Sequence, residues 1–317
     1  MSEHDVIVAG GGMAGLSAGT FAARLGLSTL IVTGPTLGGQ MMTIEGIEDF
    51  PGFADGITGY DLCPSLQIQA TEAGAAFSMD EVTALEPDGD GWSVALDSGA
   101  TRRARAVILA TGSGFRALGV PGEDRLTGRG ISHCASCDGP LFRDQVVGVV
   151  GGGDSAFQEA LALAQLGSRV VVLHRDAEPH AQAVYRDRVA ASEQIEVRPG
   201  TVVEEILGES RVEGVRVRPA AGGDPEDLEL GGLFPCVGLV PRTGLVADLL
   251  DLDDEGRVPT DPLMRTARPG LLAAGDIRAD SVRQAITAAG DGATAAFAAH
   301  RWLAGDAWTG QLDRAVA

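Results

Sequence analysis

The chain has 317 residues, which suits two domains, and 44% apolar with 21% charged residues supports a folded core. A formal net charge of −20 speaks against nucleic acid and anionic membrane surfaces as partners, since both are held through a basic face. All 24 basic residues are arginine, so a lysine Schiff base and a P-loop lysine are excluded.

The 45 glycines amount to about twice average usage and point to many tight turns or close approaches of backbone to ligand. Met1 to Asp5 is polar and runs straight into a strand-like segment, which is not a signal-peptide pattern. Nowhere is there an apolar stretch of the roughly 18 residues a membrane helix needs. A soluble, cytoplasmic protein is expected.

In chain order, residues 6–34 open with an apolar run, a glycine turn, about ten helix-favouring residues, a Gly stop and a β-branched run. That is a βαβ unit opening a parallel sheet. Short β-like runs at 92–97 and 104–109 read as a meander closing the first sheet. Residues 147–175 then repeat 6–34 at a shift of 141 without a gap, sharing Gly10/Gly151, Gly11/Gly152, Gly12/Gly153, Ala23/Ala164, Leu25/Leu166 and Gly26/Gly167. Runs around 201–207 and 211–218 are the counterpart meander. An apolar run leads into Ala273-Ala274-Gly275-Asp276, and an Ala-rich helical pattern covers about 281–303. The expected class is α/β: two Rossmann-like, doubly wound dinucleotide-binding domains, each a three-layer ββα arrangement, the second inserted in the first.

Gly10-x-Gly12-x-x-Gly15 follows a strand and opens a helix. Its glycines permit a tight turn, approach of backbone to a pyrophosphate and close helix–strand packing, and the helix N-terminus supplies N–H donors. The carboxylate that often holds a ribose about 20 residues on is replaced by Thr33. Gly151-x-Gly153-x-x-Ala156, with Asp154 and Ser155 inside it, repeats the motif, and Ala156 still allows close packing.

Cys134-Ala-Ser-Cys137-Asp138 carries the other chemistry. Two thiols at this spacing can form a small disulfide with one thiolate favoured locally, and the adjacent carboxylate can move the proton that exchange transfers. Zinc needs four ligands and there is no second CxxC, so no metal is expected. Cys63 and Cys236 stand alone in apolar surroundings and read as buried structural thiols.

Together these motifs resemble the low-molecular-weight thioredoxin reductases over nearly the whole chain. The first glycine motif (Gly10, Gly12, Met13, Ala14, Gly15) resembles that family's FAD site. Gly38-Gly39-Gln40 and Ile47-Glu48-Asp49-Phe50-Pro51-Gly52 resemble its flavin-contacting loop, and Ala110-Thr111-Gly112 the strand end that crosses between domains. Gly128-Arg129-Gly130-Ile131-Ser132 leads into the redox segment. Gly275-Asp276, Arg283-Gln284-Ala285 and the stretch Thr287 to Gly292 resemble the second FAD segment, with Asp276 toward the ribityl chain. The resemblance implies an FAD-binding domain over 1–115 and 247–317 and an NAD(P)-binding-like domain over 116–246. It also implies a homodimer, and an electron path from a nicotinamide through FAD to the disulfide. Cys137 would be the flavin-proximal thiol, Cys134 the thiol that attacks the substrate disulfide, and Asp138 the acid/base.

Three departures matter. The family's His-Arg-Arg with a further arginine, which clamps the 2′-phosphate of NADPH, corresponds here to His174-Arg175-Asp176 and His180. Asp176 repels a phosphate and suits a ribose hydroxyl, so NADH, weak NADPH use or no nicotinamide remain as readings. Pro140-Leu141-Phe142 replaces Phe-Phe after Cys-Asp-Gly, near the family's partner-docking face. Asp49 stands where the family usually has Asn, a charge that would make flavin reduction harder. The expected activity is exchange of electrons between FAD, the Cys134–Cys137 disulfide and a thioredoxin-like protein or small-molecule dithiol or disulfide, with weak or absent NADPH preference. The alternatives are an NADPH-independent dithiol oxidase, a ferredoxin-linked disulfide reductase and, in another class, a non-catalytic flavin redox sensor. Turnover of a disulfide or dithiol separates the last from the enzymes.

Overall fold

The computed structural model describes residues 4–308. The chain divides into two units, Met1–Gly114 with Pro241–Ala317, and Phe115–Val240. The return point lies six residues before the 246/247 boundary expected from sequence.

In the first unit, β1 (His4–Ala9), α1 (Met13–Arg24) and β2 (Thr29–Val32) are followed by α2 (Gly59–Glu72) and β3 (Ala76–Ser78). Then come β4 (Val82–Asp88), β5 (Gly91–Leu96) and the long β6 (Thr101–Leu109), and the chain leaves through β7 (Ser113–Phe115). The second unit begins with the short helices α3 (Glu123–Leu126) and α4 (Ala135–Asp138). It continues through β8 (Val146–Val150), α5 (Asp154–Gln165), β9 (Arg169–Leu173), α6 (Ala183–Ala190) and β10 (Ile195–Arg198). The meander β11 (Thr201–Leu207), β12 (Gly214–Pro219) and β13 (Glu226–Glu229) precedes β14 (Gly232–Pro235). The chain returns through β15 (Leu239–Pro241) to β16 (Leu271–Ala273) and α7 (Ala285–Leu303).

Each unit is three layers because each parallel sheet buries both faces. In the first, β3-β2-β1-β6 are parallel neighbours, and β6 also takes β16 along its second half and the antiparallel β5–β4 ribbon along its first. Alternation along the strands does the sorting. Val6, Val8, Ile31 and Ile108 turn to the alanines of α1 and α7, while Ile7, Leu30, Val32, Val107 and Leu109 turn to Trp92, Val94 and Leu96 of the ribbon. The second unit repeats this with β10-β9-β8-β14 parallel and β11-β12-β13 antiparallel. Val147, Val149, Val170 and Val172 face Phe157 and Leu163 of α5. Val150, Val171 and Leu173 face Val203, Ile206, Val215 and Val217. The two Rossmann-like units are therefore copies at the level of layers, and α1 and α5 coincide at the shift of 141 residue for residue.

Two elements start later than their sequence patterns suggest. The expected strand at 211–218 begins at Gly214, because Gly208 to Glu213 closes a tight turn with Gly208 at φ +130°. The helix expected from about 281 begins at Ala285, because Arg283 adopts φ +60° and Gln284 is extended. The Arg283 N–H donates to Ser281 Oγ (3.2 Å), which shapes that loop instead.

α7 crosses α1 at backbone contact. A Cβ at Gly292 would lie 2.1 Å from Ala14 O, and the Ser17 hydroxyl donates to Ala289 O at 2.7 Å. Gly292→Val should therefore lower the stability of the purified protein by about 1–3 kcal/mol, the usual range for overpacking, read as a lower thermal midpoint by far-UV circular dichroism. An unchanged midpoint would show that the helices separate freely.

Candidate active site

In both units the turn from strand to helix leaves a helix N-terminus without a side-chain cap: Gly12 before α1 and Gly153 before α5 are extended, and neither helix end receives a side-chain hydrogen bond. Uncapped N–H groups at the carboxyl end of a parallel sheet form an anion site. In the first unit the glycines divide the work. Gly10 has φ +121° and would clash with Ala110 O if it bore a Cβ; a Cβ at Gly15 would lie 1.9 Å from Gly10 O. Gly12, by contrast, faces open space. An open cradle bounded by uncapped N–H groups fits the pyrophosphate of a dinucleotide.

The other residues expected around FAD gather at the carboxyl ends of β1, β6 and β16. Gly39 and Gln40 lie in a turn over the glycine loop, held by Gly38 N–H to Gly11 O (2.8 Å) and by Gln40 Nε2 to Ser113 O (2.6 Å). Met13 and Ala14 are buried at the start of α1. Ala110, Thr111 and Gly112 follow β6, with the Thr111 hydroxyl donating to Arg242 O at 2.8 Å and Gly112 facing open space. Gly275 (φ +77°) and Asp276 lie in the turn after β16. Burial pushes the Asp276 carboxyl up, while a hydrogen bond from Ser281 and the charge of Arg283 pull it down. Arg283, Gln284 and Ala285 lead into α7, and Asp49 is exposed in a bend beside the Ile47–Ile57 bridge. Thr33, at the end of β2, spends its hydroxyl on Gly34 O and Ser78 O.

Asp291, inside the Thr287 to Gly292 stretch of the expected second FAD segment, and Arg278, which the sequence did not single out, brace this loop. Asp291, within α7, accepts from Gly275 N–H (3.1 Å) and forms a two-pronged ion pair with Arg278 (2.9 and 3.2 Å). Arg278 also donates to Thr260 Oγ1 at 2.7 Å. The segment holding Asp291 was legible in the sequence but its partners were not, and nothing there marked Arg278.

The second unit carries the disulfide. Cys134 and Cys137 are bonded across the four-residue α4. Ser132 links the neighbouring groups: its hydroxyl accepts from Cys134 N–H (3.1 Å) and donates to Asp138 Oδ2 (2.6 Å). The Cys137 N–H points at Cys134 Sγ (3.1 Å), so a negative charge on that sulfur meets a donor. His133 stacks on Phe115 at 4.5 Å, with Nδ1 3.1 Å from Pro235 O. Cys63 is buried and burial pushes its thiol up to about 11; Cys236 is only half-buried, and its thiol is also pushed up, first by burial and then by Glu159. Among the described residues no His, Cys, Asp and Glu cluster could hold a metal ion, and no helix is long and apolar enough to cross a membrane.

The second glycine loop differs from the first in what its open side meets. Gly151 (φ +145°) again crowds a carbonyl, Cys236 O, and Ala156 packs beside it. A Cβ at Gly153, however, would look onto the His180 imidazole at 3.5 Å. The chain at 180–182 is tied to the loop: His180 and Ala181 N–H donate to Gly152 O (2.9 and 3.0 Å), and Gln182 donates twice to Asp154 (2.7 Å each). Ser155 is exposed. Arg175 and Asp176 project from the turn after β9, 3.5 Å apart, with 81% and 51% of their side chains exposed. His174 lies under Gly152 with neither ring nitrogen hydrogen-bonded.

Two dinucleotide-binding units with a CxxC disulfide on the second define a flavin-linked disulfide oxidoreductase. Residues 4–292 match the family model of pyridine nucleotide-disulphide oxidoreductases. A thioredoxin reductase of Mycolicibacterium smegmatis is 43% identical over 302 residues, 95% of this chain and 97% of that one. A bifunctional thioredoxin reductase/thioredoxin of Mycobacterium leprae is 41% identical over 302 residues, 95% of this chain and 66% of that one. The crystal structure of Lactococcus lactis thioredoxin reductase (FR conformation) superposes with a TM-score of 0.92 at 35% identity, covering 95% of this chain and 99% of that one. The chain belongs to the pyridine nucleotide-disulphide oxidoreductase family, among its thioredoxin reductases, and is an FAD-dependent thiol–disulfide oxidoreductase.

Burial holds the His174 imidazole neutral below its ordinary value of 6.5, and the charge of His180 adds to this, against an opposite pull from Asp176 and Glu178. The unfolded chain therefore takes up this proton first as pH falls, so the contribution to stability is intact above about pH 6.5 and declines below it. The loss in urea midpoint between about pH 7.5 and about pH 5.5 should be smaller in His174→Gln than in the parent; equal losses would show that His174 does not titrate differently on folding.

Proposed function

We propose that the protein passes an electron pair between FAD and the Cys134–Cys137 disulfide, and from there to the disulfide of a thioredoxin-like protein, with weak or absent preference for NADPH. Bound FAD supplies the two-electron carrier. The chain's own part is to hold FAD's pyrophosphate at Gly10, Gly12 and Gly15 and to present Asp276, Arg283, Gln284 and Ala285 along the remainder of the cofactor. In the second unit, Cys134 attacks the partner disulfide as a thiolate, favoured there by the Cys137 N–H. Asp138, oriented by the Ser132 hydroxyl, takes or returns the proton. A partner of the thioredoxin class fits the relatives, one of which is a reductase/thioredoxin fusion. The family resemblance adds a homodimer.

The observation that carries the cofactor preference is the altered clamp. A 2′-phosphate arriving at the turn after β9 meets the Asp176 carboxylate beside the one retained arginine, Arg175, and a histidine at position 180. Reversing one charge at contact distance opposes the phosphate: at an effective ε of 20, two unit charges ~4 Å apart interact by ~4 kcal/mol, and solvent around this exposed turn cuts that to about 1 kcal/mol. Asp176 suits a ribose 2′-hydroxyl instead. The same loss of the clamp also suits a dithiol oxidase or a ferredoxin-linked reductase, in which electrons reach the disulfide without a nicotinamide.

Anaerobic bleaching of the flavin's visible absorbance separates these readings. NADH should bleach the protein at least as fast as NADPH. Asp176→Arg combined with His180→Arg should raise the NADPH rate by about tenfold or more, the effect of one to two charge-assisted hydrogen bonds; no gain would remove these residues as the cause. Bleaching by dithiothreitol with neither nicotinamide effective would favour the oxidase or ferredoxin-linked reading. Cys137→Ser should abolish disulfide turnover while FAD stays bound, and loss of FAD would make the CxxC a structural element.

A further inference from the structure

We propose that Glu159 is a positioning residue for the redox disulfide: its carboxylate ties the first turn of α4 to α5, and its negative charge biases the Cys134–Cys137 couple toward the disulfide. This rests on the reading that the couple exchanges electrons.

Helix α4 has four residues, too few to hold themselves as a helix. Its N–H groups find partners in three directions. The Cys137 N–H goes to Cys134 Sγ and the Asp138 N–H to Cys134 O (3.1 Å each). Both bonds lie within the redox segment, and the first has a sulfur of the disulfide itself as its acceptor. The Ala135 N–H goes to Glu159 Oε2 at 2.5 Å, a bond to a different element that need not change when the disulfide opens. Glu159 is a firm anchor because α5 has twelve residues, with Phe157, Ala160 and Leu163 buried on its inner face. Ala135 is itself 1% exposed, so its N–H depends on this charge-assisted bond, while Glu159 is half-buried. The next residues pack on the same helix and its C-cap: a Cβ at Gly139 would lie 3.4 Å from Leu163 and 2.5 Å from Leu166.

The charge has a separate effect. Opening the disulfide takes two electrons and, where Cys134 is left as the thiolate that carries exchange, one proton, so the reduced couple holds a negative charge the disulfide lacks. Cys134, the sulfur favoured by the Cys137 N–H, belongs to the residue directly before the N–H that Glu159 holds. A carboxylate at that spot opposes negative charge on sulfur and so opposes the reduced, thiolate-bearing form. Its field reaches the sulfur of Cys236, just past β14, where it acts in the same direction as burial. Asp138 and His133 flank the couple from the redox segment itself and are untouched when Glu159 is changed, so a difference between variants reports Glu159.

The test is the thiol–disulfide equilibrium of the FAD-loaded protein in anaerobic mixtures of reduced and oxidised dithiothreitol. Each exchange breaks the Cys134–Cys137 bond and forms the ring disulfide of dithiothreitol; two electrons and one proton go to the couple, left as one thiol and one thiolate, and the second proton goes to the buffer. The dithiol fraction is read by acid quenching, alkylation and mass, as two added labels. Glu159→Gln keeps an acceptor for the Ala135 N–H but removes the charge. It should shift the equilibrium toward the dithiol on the order of tenfold, about 30 mV for a two-electron couple. Glu159→Ala removes both and should show the same direction of shift together with slower turnover of a disulfide substrate. A Glu159→Gln equilibrium equal to the parent's, or displaced toward the disulfide, would overturn the proposal even if both variants lost activity. A parent disulfide that dithiothreitol never opens would instead overturn the functional reading on which it stands, and the proposal with it.

Discussion

The structure depends on one close contact, made twice: the carbonyl at the end of a central strand touching the first turn of the helix that follows. At Gly10 and Gly15 there is no room for a side chain, and at Gly151 the third position admits an alanine, Ala156. This contact brings the helix start down onto the carboxyl edge of the sheet and leaves its N–H groups pointing outward, uncapped. The remaining contributors, the turns after β6 and β16 in the first unit and after β9 in the second, follow parallel strands and reach the carboxyl edge of their own sheet for geometric reasons. Strand packing, with both sheet faces buried, fixes that edge. The chemistry sits on loops because only there is the backbone free to meet a ligand.

The redox segment uses a different kind of order. Four residues of helix carry the disulfide, and what holds them is polar: a serine hydroxyl joined to a backbone N–H and a carboxylate, and a second carboxylate reaching in from α5. Polar ties suit a segment whose bonds must change in the reaction, since each partner can be exchanged without repacking a core.

Much of the architecture was legible because it is encoded locally and in duplicate. The run, glycine turn and Gly stop at 6–34 and 147–175 fix α1 and α5, and the Cys134–Cys137 pairing follows from a spacing of three. The start of α7 was not legible, because the left-handed Arg283 is set by the Ser281 hydroxyl and no composition cue marks it. Glu159, Gln182 and Arg278 were missed for another reason. Each acts on backbone or side chains 13 or more positions away, and a single polar residue looks the same in sequence whether it faces water or a distant loop. Cys236 was expected to be buried and is half-buried, just past the end of β14 at Pro235, yet it packs against the second unit's core.

The unlike surroundings of Gly12 and Gly153 have a consequence for how such a protein diversifies. The first copy of the loop opens onto free space, whereas the second is lined by its own His180 and by the Gln182–Asp154 bonds. Residues between 174 and 182 can therefore be exchanged without touching the first loop, since it is the second loop that they contact. The duplicated turn separates two demands that a single site would have to satisfy together: substitutions around one copy need not be compatible with what the other holds.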